Sequence, residues 1–295
     1  MDALEKMIGQ SRIKRLLSAE IGTAFLGHGT LANILLHGGP GLGKSSIARA
    51  VAQTCGYEMK EWVVGSDWSA QRIENELFSL PTTGYAANGM PTGKDTPTYL
   101  LFLDEVHNLK MSTAEALYEP MMTGHVLANG SKHWLPKIVV CAATTKISAL
   151  PAAFKSRFGL QLRVDPYSLD DLCAIIAGSF PSMPKHIIAG VSLRCKGIPR
   201  VALQQAQRVQ NFGGLAWYDA AGIDENGLDQ TDLRYLEILG NSRRPVSLST
   251  LAAMLGEPVS TITEIVEPYL LSKGLVEITP KGRSLVASGR GERGC

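Results

Sequence analysis

The chain has 295 residues, of which 45% are hydrophobic and 19% are charged, and its formal net charge is +2. This composition excludes a broadly disordered protein, and the length indicates two or three domains. The balanced charge also excludes a protein that binds nucleic acid through overall basicity, so any such contact requires a local patch.

The cysteines and the apolar runs bear on the cellular compartment. The five cysteines form no C-x-x-C pair, which indicates a reduced protein without disulfides or zinc. The first residues lack the basic and then apolar pattern of a signal peptide, and no apolar run reaches the ~18 residues that span a bilayer. We therefore expect a cytoplasmic protein that has no membrane association.

A glycine-rich segment lies between a predicted strand at 31–37 and a predicted helix at 46–53, after an amphipathic helix at 11–26. It reads GGPGLGKSS and fits the phosphate-loop pattern G-x-x-x-x-G-K-[ST]. In that pattern backbone N–H groups point at phosphate oxygens, the lysine adds a positive charge and the serine hydroxyl binds Mg²⁺. The alternative is a glycine-rich turn without a ligand. The predicted nucleotide-binding residues here are Gly38, Gly41, Leu42, Gly43, Lys44, Ser45 and Ser46.

A long loop is predicted at 81–98, after a strand at 58–64 and a helix at 70–80. The segment is rich in Pro, Gly and Thr and has no apolar period. Loops of this length inside a domain are functional or disordered, and the sequence leaves both interpretations open.

The next predicted strand, 99–105, ends in two acids. Four apolar residues followed by Asp-Glu are typical of the Walker B motif, in which Asp104 would hold Mg²⁺ and Glu105 would polarise the attacking water. The alternative is a strand that ends in a polar turn. A phosphate loop roughly 60 residues upstream favours the functional interpretation.

A hairpin around Asn129-Gly130 is predicted at 124–136, and a strand at 137–146 ends in Thr144 and Thr145. Alternating helices and strands through residue 168 predict an α/β domain with a parallel sheet. In such sheets ligands bind at the carboxyl ends of the strands, where the phosphate loop, the two acids and the two threonines fall.

Helices dominate the rest of the chain. Two or three are predicted between Ser168 and about residue 215, and 222–229 reads as a polar linker. Three further helices and a hairpin at 275–286 predict a winged helix. The predicted domains are an α/β domain at 1–168, a small helical domain at 169–222, the winged helix at 223–288 and a disordered tail at 289–295.

The order of these motifs resembles the RuvB family, AAA+ motors that drive the branch migration of Holliday junctions. The resemblance runs from Ile8 to about Val286. The matching segments are 38–46, 104–107, 143–145, 156–159, 197–200, 267–271 and 279–283.

The resemblance implies an AAA+ P-loop NTPase domain, a helical lid and a C-terminal winged helix. It implies ATP with Mg²⁺ at the subunit interfaces of a homo-oligomeric ring, expected to be a hexamer. Thr145 would orient the attacking water, Arg157 would be an arginine finger for the neighbouring subunit's ATP, and Arg200 would be the second sensor, on the lid. The alternatives are a surface arginine at 157 and a helix-end cation at 200. The residues implied to flank the adenine are Ile8, Gly9, Gln10 and Tyr167.

The chain also departs from the family pattern. The hairpin at 124–136, which docks RuvA in the family, is shorter here, and Met122-Thr-Gly124 replaces a Glu-Asp-Phe that borders the nucleotide. The loop at 81–98 has no counterpart of this length, and the family's N-terminal Arg-Pro segment is missing. These differences predict a divergent, phage-borne or mobile-element member, and they leave open whether its recruiting partner resembles RuvA.

The tip of the predicted wing carries two cations, Lys281 and Arg283, with Glu277 as the only acid expected nearby. We predict that both contact the DNA backbone. Ile278 stands where the family has a further arginine, and the alternative is that Arg283 only holds the hairpin of a protein-binding wing.

The motifs together predict an ATPase that moves or remodels duplex or branched DNA. One alternative is a clamp or helicase loader that acts on DNA without processive translocation, and another is a winged helix that grips protein. DNA-stimulated hydrolysis with strand displacement would distinguish them.

Overall fold

The structure, a computed structural model, describes residues 2–28, 31–82, 97–128 and 131–286. Most of the predicted loop at 81–98, the Asn129-Gly130 turn and the tail at 289–295 therefore lie outside the described residues. The chain divides into two units, residues 1–167 and 168–295. Among the described helices, none is both long and apolar enough to cross a membrane.

The first unit is built on a five-stranded parallel sheet in the order β2-β3-β6-β1-β7. The central strands are almost continuously apolar because both of their faces are buried, as at Leu100–Leu103. This arrangement confirms the predicted α/β fold with a parallel sheet. The strands are β1 (Ile34–His37), β2 (Glu58–Val63), β3 (Tyr99–Asp104), β6 (Ile138–Thr144) and β7 (Leu160–Arg163).

Helices cover this sheet, and a separate antiparallel hairpin of β4 (His125–Ala128) and β5 (Ser131–Trp134) confirms the predicted hairpin. The first helix after the phosphate loop buries an apolar face that includes Ile47 and Val51. The helices are α1 (Ala3–Lys6), α2 (Ser11–Thr23, continued by a π-helical turn at Ala24–His28), α3 (Lys44–Cys55), α4 (Ala70–Phe78), α5 (Met111–Glu115), α6 (Tyr118–Thr123) and α7 (Ala152–Lys155).

The second unit begins with a helical part and continues into the predicted winged helix. Ser168 caps its first helix by accepting a hydrogen bond from the Asp171 N–H. The helical part contains α8 (Leu169–Ser179), α9 (Lys185–Arg194), α10 (Pro199–Phe212) and α11 (Trp217–Ala221). The winged helix contains α12 (Gln230–Asn241), α13 (Leu248–Leu255), α14 (Val259–Thr261), a π-helical turn (Ile262–Val266), α15 (Glu267–Ser272), β8 (Val276–Thr279) and β9 (Gly282–Leu285).

The segment predicted as a linker is an ordered turn. Asp224 Oδ1 accepts hydrogen bonds from the N–H groups of Asn226 and Leu228. Gly227 has φ 78° and lies so close to the α9 backbone that a Cβ would approach the Arg194 carbonyl oxygen to 2.3 Å. The close approach requires glycine at this position.

An ion pair reinforces the same junction. Lys196 is hydrogen-bonded to Asp232, which is 1% exposed, and its Nζ lies 3.6 Å from Asp229 and 5.5 Å from the centre of the Tyr269 ring. Burial raises the pKa of Asp232, and the contact with Lys196 opposes that shift. The predicted division of the second unit into two domains remains a prediction.

The environment of Arg283 differs from what the sequence predicts for the wing. Its Nε donates to Glu267 Oε1 at 2.7 Å and its Nη2 to Oε2 at 3.3 Å, and Tyr235 Oη also donates to Oε1, at 2.9 Å. The expectation that Glu277 is the only acid near Arg283 is therefore wrong. The hydrogen bond with Glu267, which is 3% exposed, raises the pKa of Arg283.

We expect Glu267→Ala to lower the free energy of unfolding of the winged helix by about 3–5 kcal/mol, because it leaves the Arg283 guanidinium without its buried partner. Denaturation followed by circular dichroism measures the change. Glu237→Ala, which removes an exposed acid from α12, is the matched control and should shift stability by less than about 0.5 kcal/mol. Equal midpoints for Glu267→Ala and the control would contradict the assigned role of this ion pair.

Candidate nucleotide-binding site

The loop between β1 and α3 takes a backbone path that glycine permits. Gly38, Gly41 and Gly43 have φ values of 152°, 74° and 88°. A Cβ on Gly38 would lie 2.4 Å from the carbonyl oxygen of Val164, just after β7. The loop therefore curls tightly against the carboxyl end of the sheet, where its N–H groups can face a ligand.

Lys44 is the first residue of α3, and its side chain is almost buried, with 7% of the residue exposed. Its Nζ donates to the carbonyl oxygens of Gly38 and Gly39, each at 2.9 Å. Ser45 and Ser46 follow in the first turn of the helix. A lysine ammonium and the positive end of a twelve-residue helix thus converge on the loop, which suits it to phosphate.

The strand register places the other predicted residues at the same edge. His37 pairs with Thr144, Leu103 pairs with Ala142, and the Gly38 N–H donates to the Thr144 carbonyl oxygen at 3.3 Å. The phosphate loop, the two acids and the two threonines therefore meet where the parallel strands end, as the sequence predicts.

Glu105 and Thr145 are in direct contact. Glu105 Oε2 accepts from Thr145 Oγ1 at 3.1 Å and from the Thr145 N–H at 3.3 Å. His107 Nδ1 lies 3.2 Å from the same carboxylate oxygen and 3.0 Å from Thr144 Oγ1. His107 has no role among the sequence predictions, although its place two residues after Glu105 is a signal that could have identified it.

Asp104 lies beside this network, directly before Glu105. Burial, and then the neighbouring charge of Glu105, raise the pKa of Asp104, whereas the positive charge of Lys44 opposes the shift. The described residues contain no group of three or more His, Cys, Asp and Glu side chains that could hold a metal ion. A divalent cation here would rely on Ser45, Asp104, water and the ligand's own phosphate oxygens, which is how proteins usually hold Mg²⁺.

Two segments implied to flank the adenine lie next to the loop. Gln10 Nε2 donates to the Asp165 carbonyl oxygen at 2.7 Å, and the Val164 N–H donates to the His37 carbonyl oxygen at 2.8 Å. The Tyr167 hydroxyl is 3.5 Å from where a Cβ on Gly43 would lie. The structure thus brings Gln10, with its neighbours Ile8 and Gly9, and Tyr167 to the rim of the phosphate loop.

Arg157 lies at the amino-terminal ends of the strands, opposite the end that holds the phosphate loop. It precedes β7, whose first residue pairs with Ile34 at the start of β1, and its carbonyl oxygen accepts from Asn33 Nδ2 at 3.5 Å. Its guanidinium donates to the Ala153 carbonyl oxygen and stacks on Tyr118, with Cζ 3.7 Å from the ring centre. The four-residue β1, about 13 Å long, separates Arg157 from its own phosphate loop.

The remaining predicted residues belong to the second unit. Arg200 is exposed at the second residue of α10. Lys281 is exposed in the turn between β8 and β9, whereas Arg283 is engaged by Glu267.

Two family models match the chain. The model of the ATPase family associated with various cellular activities (AAA) matches residues 34–166, and that of the RuvB C-terminal winged helix domain matches residues 225–291. These matches confirm the predicted combination of an AAA domain with a C-terminal winged helix.

The chain is also similar to proteins of known name along almost its whole length. The Holliday junction branch migration complex subunit RuvB of Campylobacter hominis is 31% identical, over 97% of this chain and 87% of that protein. The same subunit of Prochlorococcus marinus is 32% identical, over 97% and 85%. The solved Thermotoga maritima RuvB Holliday junction branch migration motor is 27% identical, with a TM-score of 0.78 over 98% of this chain and 95% of that one. The resemblance predicted from the motifs is confirmed.

Proposed function

This chain belongs to the RuvB family, and from that premise we propose that it is an ATP-hydrolysing motor that assembles as a ring and moves or remodels duplex or branched DNA. The relatives and the solved motor are named for Holliday junction branch migration. The observation that carries the proposal is the joint placement of Lys44, Glu105 and Thr145 at one edge of the sheet. Mg²⁺, a hexameric ring and a cytoplasmic location belong to the same proposal.

The residues of the site divide the work of hydrolysis. Lys44 and the N–H groups of the loop hold the phosphates, and Ser45 and Asp104 hold Mg²⁺, which neutralises charge on the phosphate oxygens when bound. Glu105 accepts a hydrogen bond from the attacking water and polarises it. Thr145, already bonded to Glu105, fixes the direction of that carboxylate.

Two arginines outside the phosphate loop also act on ATP: Arg157 on the ATP of a neighbouring subunit and Arg200 on that of its own. Because β1, about 13 Å long, separates the end of the sheet that holds Arg157 from the end that holds its own loop, the guanidinium serves a neighbouring subunit. Stacking on Tyr118 restricts the directions that the side chain takes, so less entropy is lost when it meets the phosphate. Arg200 contributes from the lid as the second sensor.

The test of the proposed function is an ATPase and strand-displacement assay on a four-way junction, with electron microscopy of the ATP-bound protein. We expect duplex or branched DNA to stimulate hydrolysis, junction arms to be exchanged and rings to form. Stimulated hydrolysis without strand movement would favour the loader. An equal rate of hydrolysis with and without DNA would contradict a DNA motor.

We expect Lys44→Ala to abolish nucleotide binding and Glu105→Gln to bind ATP without turning it over. Lys44 interacts with the phosphates in the ground state, whereas Glu105 acts on the water only during hydrolysis. Fluorescent-nucleotide binding and phosphate release measure the two effects. Lys185→Ala and Glu225→Gln, at exposed positions of the second unit, are the matched controls. Wild-type turnover in Glu105→Gln would remove Glu105 from the mechanism.

We expect Arg157→Ala to keep its affinity for ATP and to lose ATPase activity by ~10³-fold, because the finger acts on the neighbour's ATP. Mixing Arg157→Ala with Lys44→Ala protein should restore part of the activity, since one complete interface can form from two defective subunits. If Arg157→Ala alone hydrolyses normally and no mixing ratio changes the rate, the shared site is refuted.

A further inference from the structure

We propose that Arg243 and Arg244 form, with Lys281, a phosphate-binding edge by which the winged helix holds the backbone of duplex DNA. This inference rests on the proposed function and names the residues that make the contact. The three cations lie on two segments of the second unit that the fold brings side by side.

Arg283 is not available for a contact with DNA through the donors that it shares with Glu267. Both carboxylate oxygens of the buried Glu267 accept hydrogen bonds from its guanidinium. A contact with DNA through these donors would have to break that ion pair and leave the buried Glu267 without its positive partner, which is costly. Lys281 is then the one exposed cation of the hairpin 276–285.

The helix that precedes the hairpin offers no substitute. Residues 259–272 contain no Lys or Arg, and they present Glu264 together with two exposed apolar side chains, Val259 (45%) and Ile265 (61%). Phosphate contacts in protein–DNA complexes come largely from Arg, Lys and polar groups. This surface therefore cannot supply the electrostatic part of the affinity.

Arg243 and Arg244 supply exposed positive charge at the right place. They follow the end of α12, both are exposed, and neither has a hydrogen bond or ion pair with another described residue. Val246 then pairs with Arg283 in antiparallel fashion, each N–H donating to the other's carbonyl oxygen at 2.8 Å. The bend that carries the two arginines is thus held beside β9 by this single bridge.

The bridge also determines where the cations lie relative to each other. Arg244 lies two residues before Val246, and Lys281, in the hairpin turn, lies two residues before Arg283. Because the two paired segments are antiparallel, Arg244 and Lys281 approach the bridge from opposite directions and lie on either side of it.

The Arg283–Glu267 pair thus has a supporting role. It anchors β9, and β9 in turn holds the segment 243–246 through the two backbone hydrogen bonds between Arg283 and Val246. The paired arginine fixes the wing, and the exposed cations on either side of it contact the phosphates.

The test is a salt titration of duplex binding by fluorescence anisotropy, using the full chain. In Arg243→Gln/Arg244→Gln we expect affinity to fall on the order of 10- to 100-fold near 0.1 M salt, equally for unrelated sequences. The slope of log K against log salt should flatten by about two units, and in Lys281→Gln by about one. The matched control, Arg234→Gln/Lys273→Gln, removes two exposed charges from elsewhere in the winged helix and should leave the slope unchanged.

Unfolding midpoints and basal ATPase activity should be the same in all of these variants, since none of the substituted residues lies in the nucleotide site. If the wild type binds duplex and Arg243→Gln/Arg244→Gln binds it with the same affinity and slope, this inference is overturned while the proposed function stands. An equal loss in the control double variant would also overturn it, because the effect would then follow net charge alone. If the wild type binds no duplex, the inference and the proposed function fall together.

Discussion

The hydrogen-bonded register of the parallel sheet is the constraint on which the nucleotide site depends. His37 pairs with Thr144, and the same edge of the sheet presents the residues that follow β3. A slip of one residue would turn each side chain of a strand to the opposite face, so the apolar cores on both sides of the sheet hold the register in place. The energy that stabilises the sheet therefore also determines where the phosphates, the acids and the sensor threonine meet.

The backbone of the nucleotide site is strained at Glu105, and contacts with the surrounding sheet hold it in that conformation. Glu105 has φ 52°, a left-handed conformation that costs a residue with a side chain roughly 1–2 kcal/mol. Hydrogen bonds from Thr145 hold its carboxylate, His107 Nδ1 lies 3.2 Å from the same carboxylate, and burial stabilises the nearby Leu103 and Val106. The strained turn directs the carboxylate toward Thr145, which follows the neighbouring strand β6, and leaves it partly exposed to water.

Local sequence patterns predicted the elements with strong periodicity or a fixed glycine spacing. The phosphate loop and the strand that ends at Asp104 were predictable because each leaves its signal within about 15 residues. The winged helix was predictable because each of its helices and its hairpin has a local pattern and they follow one another directly. The four-residue β7 was not predicted, since its single pairing partner, β1, lies far upstream. Likewise, no local pattern reveals that Glu267 meets Arg283 from 16 residues away, or that Tyr118 stacks on Arg157.

The junction at Lys196 has a mechanical consequence. The ion pair with the buried Asp232 and the close approach of Gly227 to the α9 backbone restrict movement of the winged helix relative to the helical part. We therefore expect a rotation of the helical part to carry the winged helix with it. In such a rotation the displacement of an atom grows with its distance from the rotation axis, so the parts of the winged helix farthest from the axis move most.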